Sequence, residues 1–404
     1  MSRRPGGAPR VALFGELGID NLGNDASAAV VLGLLREVAP DAEVAVVSRD
    51  PEGAARAFGL PTHPAHAPRR PGARPTRAAA LADRVRDAVH LFRLARRFDV
   101  VVVPGAGVLE AAGSSPGGTV LSLCVVGLGA RSARARYVWV CVGGGRYRSR
   151  RVRAWVAVAA RLASVRTFRD EMTRAQVAAC GVDTLGDVVL GDVVTLTGPY
   201  RALDGADGTV VVSPIDVPAR GRGPQEAAAA RATYLDELVE LTERLLAEGR
   251  GVRVVVADGA DVATADALVE RVLRATGRRV EQRRPTTFAD LLDAVAGTTA
   301  VVSSRYHVLL AGALAGRPLV ALSHADKDDA LLADVGLADA VVPIEEATAD
   351  AVRARLATAL ADPRATAARL DRWARESAAS TRRGAGAAIV PAGSRPPVPE
   401  EVSP

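Results

Sequence analysis

The chain has 404 residues, 49% of them hydrophobic and 24% charged, with a formal net charge of +6. That length suits two to three domains of about 150 residues, with a core large enough to need no disulfide or metal staple. The composition excludes wholesale disorder, a collagen-like fibre and a disulfide scaffold.

Short apolar strands alternate with longer amphipathic segments, which predicts α/β layers on parallel sheets. Residues 10–15 (RVALFG) read as a strand, residues 16–24 as a Gly/Asn loop, and Asp25 or Ser27 as the cap of a helix to about Val38. A strand at 42–48 follows, then an exposed Pro/Arg/His loop at 60–76, a helix at 78–97 and a strand at 99–104 that runs into Gly105-Ala-Gly107. Residues 136–142 form a strand before Gly143-Gly-Gly145, residues 150–163 a helix and residues 164–168 a strand.

Residues 186–208 are rich in glycine, carry no long helical pattern and read as a domain junction. A second series follows, with strands at 209–213, 252–257, 300–303, 319–323 and 341–343. The helices expected between and after them lie at 225–248, 264–276, 287–296, 308–315, 328–335 and from 348 to about 380. The expected organisation is a first Rossmann-like domain over 1–200, a second over 201–345, C-terminal helices over 346–381 and a flexible tail over 382–404. Two such domains suggest a cleft, with ligands beyond the carboxyl ends of the strands.

Cys124, Cys141 and Cys180 form no CxxC pair and sit singly in apolar stretches. They read as buried free thiols of a reducing, cytoplasmic compartment. The longest apolar run, 119–130, falls short of the ~20 residues of a membrane-crossing helix. The basic N-terminus is followed only by the apolar stretch 11–15, too short for a signal-peptide core of ~7–15 residues. The expectation is a soluble, unprocessed protein.

The positive charge has an address. No acidic residue stands between Glu110 and Asp170, where eleven arginines do, and nine more lie between Arg69 and Arg97 against Asp83 and Asp87. Such fields favour anionic partners. Only 3% of residues are aromatic, which leaves no stacking platform, so nucleic acid is not expected as a partner. Lys327 is the only lysine among 51 arginines. Its compact point charge does what arginine's wide fork does not.

Chemistry concentrates in VVSSRYHVLLAGALAGRPLVALSHADK. Arg305, Tyr306 and His307 follow one strand and open a helix, and Lys327 follows the next strand and opens the next helix. If the two strands are parallel neighbours, a guanidinium, an imidazole, an ammonium and two helix N-termini face one point, which suits a compact anion. His324, three residues before Lys327, is a candidate lining residue. The glycine turns at 15–24, at Gly105 and Gly107, and at 143–145 are weak signals alone, and none is a GxGxxG or a P-loop. Arg169-Asp170-Glu171 reads as an ion pair and helix cap, and Asp192 as structural. No metal-ligand spacing involves His63, His66 or His90. No GxSxG or HExxH occurs, so neither metal nor cofactor is expected.

Together these pieces resemble the polysaccharide pyruvyl transferase family, in order and at compatible spacing from about Val11 to Pro343. The resemblance lies in Asn21-Leu-Gly-Asn-Asp25-Ala26, the 99–107 strand and glycine turn, Arg169-Asp-Glu-Met-Thr173, Arg305-Tyr-His307 and Lys327. Asn24 interrupts the usual Asn-x-Gly-Asp, Ala106 replaces a glycine, and Tyr306 stands where an aliphatic residue is common.

The resemblance implies a GT-B-like α/β architecture. It also implies transfer of the pyruvyl group of phosphoenolpyruvate to hydroxyls of a glycan or lipid-linked sugar as a cyclic ketal. Arg305, His307 and Lys327 would then be catalytic, with Asn21, Asp25, Gly105, Gly107, Arg169, Tyr306 and His324 binding substrate. A lipid-linked acceptor would bring the basic face to the anionic inner face of the membrane. The rival expectations are a GT-B glycosyltransferase using a nucleotide sugar, and a non-catalytic binding or scaffold member of a biosynthetic locus.

Overall fold

The computed structural model describes residues 7–68, 77–105, 107–109, 118–147, 149–200, 207–219 and 222–389. Two compact units emerge. The first comprises residues 1–19, 24–196 and 377–404, and the second residues 20–23 and 197–376.

The first unit runs β1 (Arg10–Phe14), α1 (Leu22–Val38), β2 (Glu43–Ser48), α2 (Pro51–Phe58), β3 (Thr62–Pro64), α3 (Arg77–Ala95), β4 (Val100–Pro104), α4 (Thr119–Ser132), β5 (Arg136–Val142), α5 (Arg150–Leu162), β6 (Val165–Phe168), α6 (Glu171–Ala178) and β7 (Val188–Val189). The strands pair in the order β3-β2-β1-β4-β5-β6-β7, all parallel. Valine-rich runs such as VVVVP form β4 because a parallel strand covered on both faces needs apolar side chains pointing both ways. Phe14, Val101, Tyr137 and Trp139 fill this core.

The second unit runs β8 (Thr209–Ser213), α7 (Pro224–Ala247), β9 (Gly251–Val255), α8 (Val262–Thr276), β10 (Glu281–Arg283), α9 (Phe288–Ala296), β11 (Ala300–Ser303), α10 (Tyr306–Leu314), β12 (Leu319–Ser323), α11 (Asp326–Asp334), β13 (Val341–Pro343), α12 (Ala349–Ala359) and the start of α13 (Pro363–Ile389), whose residues from Ser377 on belong to the first unit. Its sheet is again parallel, in the order β10-β9-β8-β11-β12-β13. Val212, Val254, Val302 and Leu322 lie in its core. The capping box at Thr287 and Asp290 fixes the start of α9.

Several elements differ from the sequence expectations. The first helix starts at Leu22, so Asp25 sits inside its first turn. Its carboxylate accepts a hydrogen bond from the backbone N–H of Gly18 at 2.7 Å and holds the preceding loop. Within the segment expected as an exposed loop, residues 62–64 add β3 to the edge of β2. Residues 69–76 of that segment lie outside the described residues. The helix α2 was not expected, although Asp50, with Pro51 next, caps it through the Gly53 N–H. The expected junction holds β7 and a 3-10 turn over Val193–Thr197. The tail expected from residue 382 is helical to Ile389, because Ala385, Ala388 and Ile389 are buried apolar residues of α13 in the first unit. Residues 390–404 lie outside the described residues.

Candidate functional site

At the carboxyl edge of the second sheet, β11 and β12 are parallel neighbours in the register Ser303↔Ala321. Each then turns into a helix. Arg305 is the residue before α10, and its backbone N–H donates to Ser303 Oγ at 2.9 Å. Tyr306 and His307 are the first residues of α10, and Lys327 is the second residue of α11. The two strands are thus the parallel neighbours that the sequence required, and Arg305, His307 and Lys327 start from adjacent strand ends.

The contacts between them are specific. Tyr306 is buried and meets the His307 ring edge-on, with centroids 5.1 Å apart. The Lys327 ammonium lies 5.9 Å from the Tyr306 ring centroid, within the range of a cation–π attraction. Gly23 packs directly against the imidazole, since a Cβ at that position would overlap the His307 ring.

Arg305 is tied down by carboxylates. Its Nε donates to Asp261 Oδ2 at 2.5 Å and its Nη2 to Asp261 Oδ1 at 2.7 Å, while Nη1 lies 3.3 Å from Asp258 Oδ2. Asp261 is wholly buried and also accepts the Asp216 N–H at 2.9 Å. Burial works against the guanidinium's charge, but Asp261, with Asp258 behind it, outweighs that cost and raises its pKa. This bidentate geometry fixes the plane of Arg305. Next to it, Ser304 Oγ lies 2.8 Å from the hydroxyl of Tyr234, which burial pushes up to about 12.

Asp258 has a second role. Its Oδ2 accepts from Asn21 Nδ2 at 3.0 Å, Asn21 and Asp258 form an isolated antiparallel bridge, and Gly259 N–H donates to Asp20 O at 3.2 Å. Asp20 adopts a left-handed φ of +57° to make this approach. The segment 20–23 is thereby fastened to the second unit, with Asn21 on the carboxylate beside Arg305 and Gly23 on His307. Sequence reasoning missed Asp258 and Asp261. The signal was available: two carboxylates directly after the apolar strand 251–256, at an edge where the neighbouring turn carries Arg305.

His324 is the first residue after β12. Its Nδ1 lies 3.2 Å from Oδ2 of the fully buried Asp328. The backbone N–H of His324 donates to the same Oδ2, at 3.4 Å, while the Nδ1 itself has no hydrogen-bond partner among the described residues.

The remaining expected residues belong to the first unit. Gly105 ends β4 with φ +56°, and a Cβ there would press on Val193 and Ser27. Gly107 lies in the turn that follows, and Ala106 between them is outside the described residues. Arg169 follows β6, is 4% exposed and lies over Gly143, where any Cβ would overlap the guanidinium. Its Nε donates to Asp170 Oδ2 at 2.9 Å. Asp170 caps α6 by accepting the Thr173 N–H at 2.7 Å, and the Thr173 hydroxyl accepts from Gly144 N–H at 2.9 Å. Arg169 and the 143–145 turn thus come together in one knot. Asn21 and Asp25, which the sequence suggested as one loop site, fall into different units.

The sequence model of the polysaccharide pyruvyl transferase family matches residues 21–326. The chain belongs to this family. The match opens on Asn21, spans the Arg305-Tyr306-His307 turn and stops one residue before Lys327. No curated protein matches the sequence.

Among solved structures, the UDP co-structure of MnaA from S. aureus has a TM-score of 0.60 at 11% identity, covering 90% of this chain and 91% of that chain. UDP-GlcNAc 2-epimerase from Neisseria meningitidis, bound to UDP-GlcNAc, has a TM-score of 0.58 at 11% identity, with coverage of 94% and 98%. MurG from Acinetobacter baumannii has a TM-score of 0.52 at 13% identity, with coverage of 94% and 99%. At such identities the likeness is one of fold. This polysaccharide pyruvyl transferase family member is built, like these GT-B enzymes, from two parallel-sheet Rossmann-like units. Among its described residues, no helix is long and apolar enough to cross a membrane, and no group of three or more His, Cys, Asp or Glu side chains is placed to hold a metal ion.

Proposed function

We propose that the protein transfers the pyruvyl group of phosphoenolpyruvate to two hydroxyls of a glycan or glycoside acceptor as a cyclic ketal. The observation that carries this proposal is the grouping of Arg305, Tyr306, His307 and Lys327 at two adjacent strand ends in a member of this family. Phosphoenolpyruvate has a carboxylate and a phosphate, and the site has two cations. Asp261 and Asp258 balance Arg305, and Lys327 is the second cation of the site. Lys327 meets the departing phosphate as a point charge. Arg305, its plane fixed, offers oriented N–H donors to the other anionic group. His307 moves protons, because the enol carbon must gain one and the acceptor hydroxyls must lose theirs. Tyr306 and His324 line the donor. Asn21 touches this site through Asp258. Asp25, Gly105, Gly107 and Arg169, on the first unit, serve the acceptor. The reaction runs in the cytoplasm, at the inner membrane face where the acceptor is lipid-linked.

Thermal unfolding with phosphoenolpyruvate, in parallel with a panel of nucleotide sugars, tests the donor. A ligand at about 100 times its dissociation constant adds ~2.7 kcal/mol to stability, a readable shift in midpoint. A shift with phosphoenolpyruvate alone, reduced in Lys327→Ala, is the expected result. A shift with a nucleotide sugar alone would make the protein a glycosyltransferase and withdraw the role of Lys327.

A further inference from the structure

The ketal-forming reaction needs more proton traffic than one imidazole carries. In the addition step an acceptor oxygen bonds to C2 of phosphoenolpyruvate and gives up its proton, while the C2=C3 electron pair takes a proton at C3 to make the methyl group. In the second step the C2–O bond to phosphate breaks with its electron pair. The second hydroxyl oxygen then bonds to C2 and releases its proton. Of the two hydroxyl protons lost, one balances the methyl group and the other the departing phosphate. Each step has one group losing a proton and another gaining one. A single imidazole holds only one of those protons at a time, so two titratable groups in opposite states suit the reaction.

We infer that His324, oriented by Asp328, is the second proton-transfer group, acting as the base on the acceptor hydroxyl while His307 protonates C3. This rests on the phosphoenolpyruvate reading above. His324 follows β12 and His307 opens the helix after β11, and the two strands are hydrogen-bonded neighbours. Lys327, next to Asp328 in α11, reaches the Tyr306 ring that abuts His307. The Asp328 carboxylate is wholly buried, its Oδ2 lies 3.2 Å from the His324 Nδ1, and neither that Nδ1 nor the Asp328 Oδ1 has a hydrogen-bond partner among the described residues, so the two buried groups face each other without another partner for either atom.

A buried carboxylate left so sparsely satisfied is costly as a purely structural device. It is well suited to hold the proton on Nδ1, leave Nε2 as the basic nitrogen and stabilise the imidazolium formed when that nitrogen takes a proton. Asp328 is then the positioning residue and His324 the group that meets the substrate.

The chain has only five histidines, so ¹⁵N-histidine NMR on the full-length protein resolves them, with His324→Gln assigning the one of interest. The expected spectrum has His324 as the Nδ1–H tautomer with an unprotonated Nε2. Asp328→Asn should abolish that preference, and phosphoenolpyruvate should shift the His324 resonances. An Nε2–H tautomer in the wild type overturns the dyad, and so does an unchanged tautomer in a folded Asp328→Asn. Where Asp328→Asn does not fold, the wild-type tautomer alone decides. Phosphoenolpyruvate that raises the melting midpoint without moving His324 overturns its place in the reaction. Phosphoenolpyruvate that moves neither the midpoint nor any histidine refutes the donor reading instead, and the proton-transfer role with it, whatever the tautomer.

Discussion

Arg169 and Arg305 each follow a strand at the carboxyl edge of their unit's sheet, and the two are held in different ways. Arg305 is gripped by two N–H···O bonds to Asp261, a carboxylate with no solvent exposure, and touched by Asp258. Arg169 is itself almost wholly buried, lies on Gly143 and bonds through Nε to Asp170, which keeps 18% of its side chain exposed and also caps α6. Asp261 thus gives both its oxygens to Arg305, while Asp170 gives one oxygen to Arg169 and caps α6 with the other. A guanidinium held by two carboxylates in this way has its plane fixed. The second unit also holds Lys327, the one lysine among the 51 arginines of the chain.

The largest effect that could break this contrast lies at Asp261. Removing one partner of a buried ion pair typically costs ~3–5 kcal/mol, so Asp261→Ala should lower unfolding free energy by about that much in a denaturant titration. A loss under ~1 kcal/mol would mean that Arg305 finds other partners and is not fixed by Asp261. Next comes His307→Ala, expected to lower turnover at least ~10²-fold with the melting midpoint kept. Near-wild-type turnover would remove His307 from proton transfer. Gly23→Ala sharpens the same point from the other side, because its new Cβ must displace the imidazole. It should weaken the phosphoenolpyruvate-induced midpoint shift in a protein that still folds.

Asp170→Ala should cost less than Asp261→Ala, ~0.5–2 kcal/mol for a lost helix cap. An equal cost would erase the distinction between the two arginines. The smallest effect concerns Cys124, whose thiol burial pushes up to about 12. The folded chain keeps that proton longer than the unfolded chain, so stability should be unaffected below the ordinary thiol range near 9 and fall as pH rises from there towards 12. Cys124 should accordingly resist iodoacetamide until the protein unfolds, and half-buried Cys180 should react first.

The second sheet was largely legible in the sequence because its strands are valine runs between glycine-marked helix ends. The adjacency of β11 and β12 follows from a crossover too short for anything else. The partners of Arg305 were not legible, since Asp258 and Asp261 lie more than forty residues away in sequence and meet it only through the order of β9, β8 and β11. The same holds for Gly23 against His307, a contact across the whole chain. Edge strands β3 and β10, three residues each, are too short to leave a period-2 pattern. The helical end of α13 was missed because its Gly/Ala composition resembles a tail until its burial against the first unit is known.

The division between the two edges is tested most directly by titrating phosphoenolpyruvate calorimetrically into the wild type, Lys327→Ala and Arg169→Ala. Binding to the wild type, weakened at least ~10-fold in Lys327→Ala and preserved in Arg169→Ala, is the result predicted for a donor site on the second unit, a tenfold change being ~1.4 kcal/mol. Binding lost in Arg169→Ala but intact in Lys327→Ala would contradict it and move the donor to the first unit.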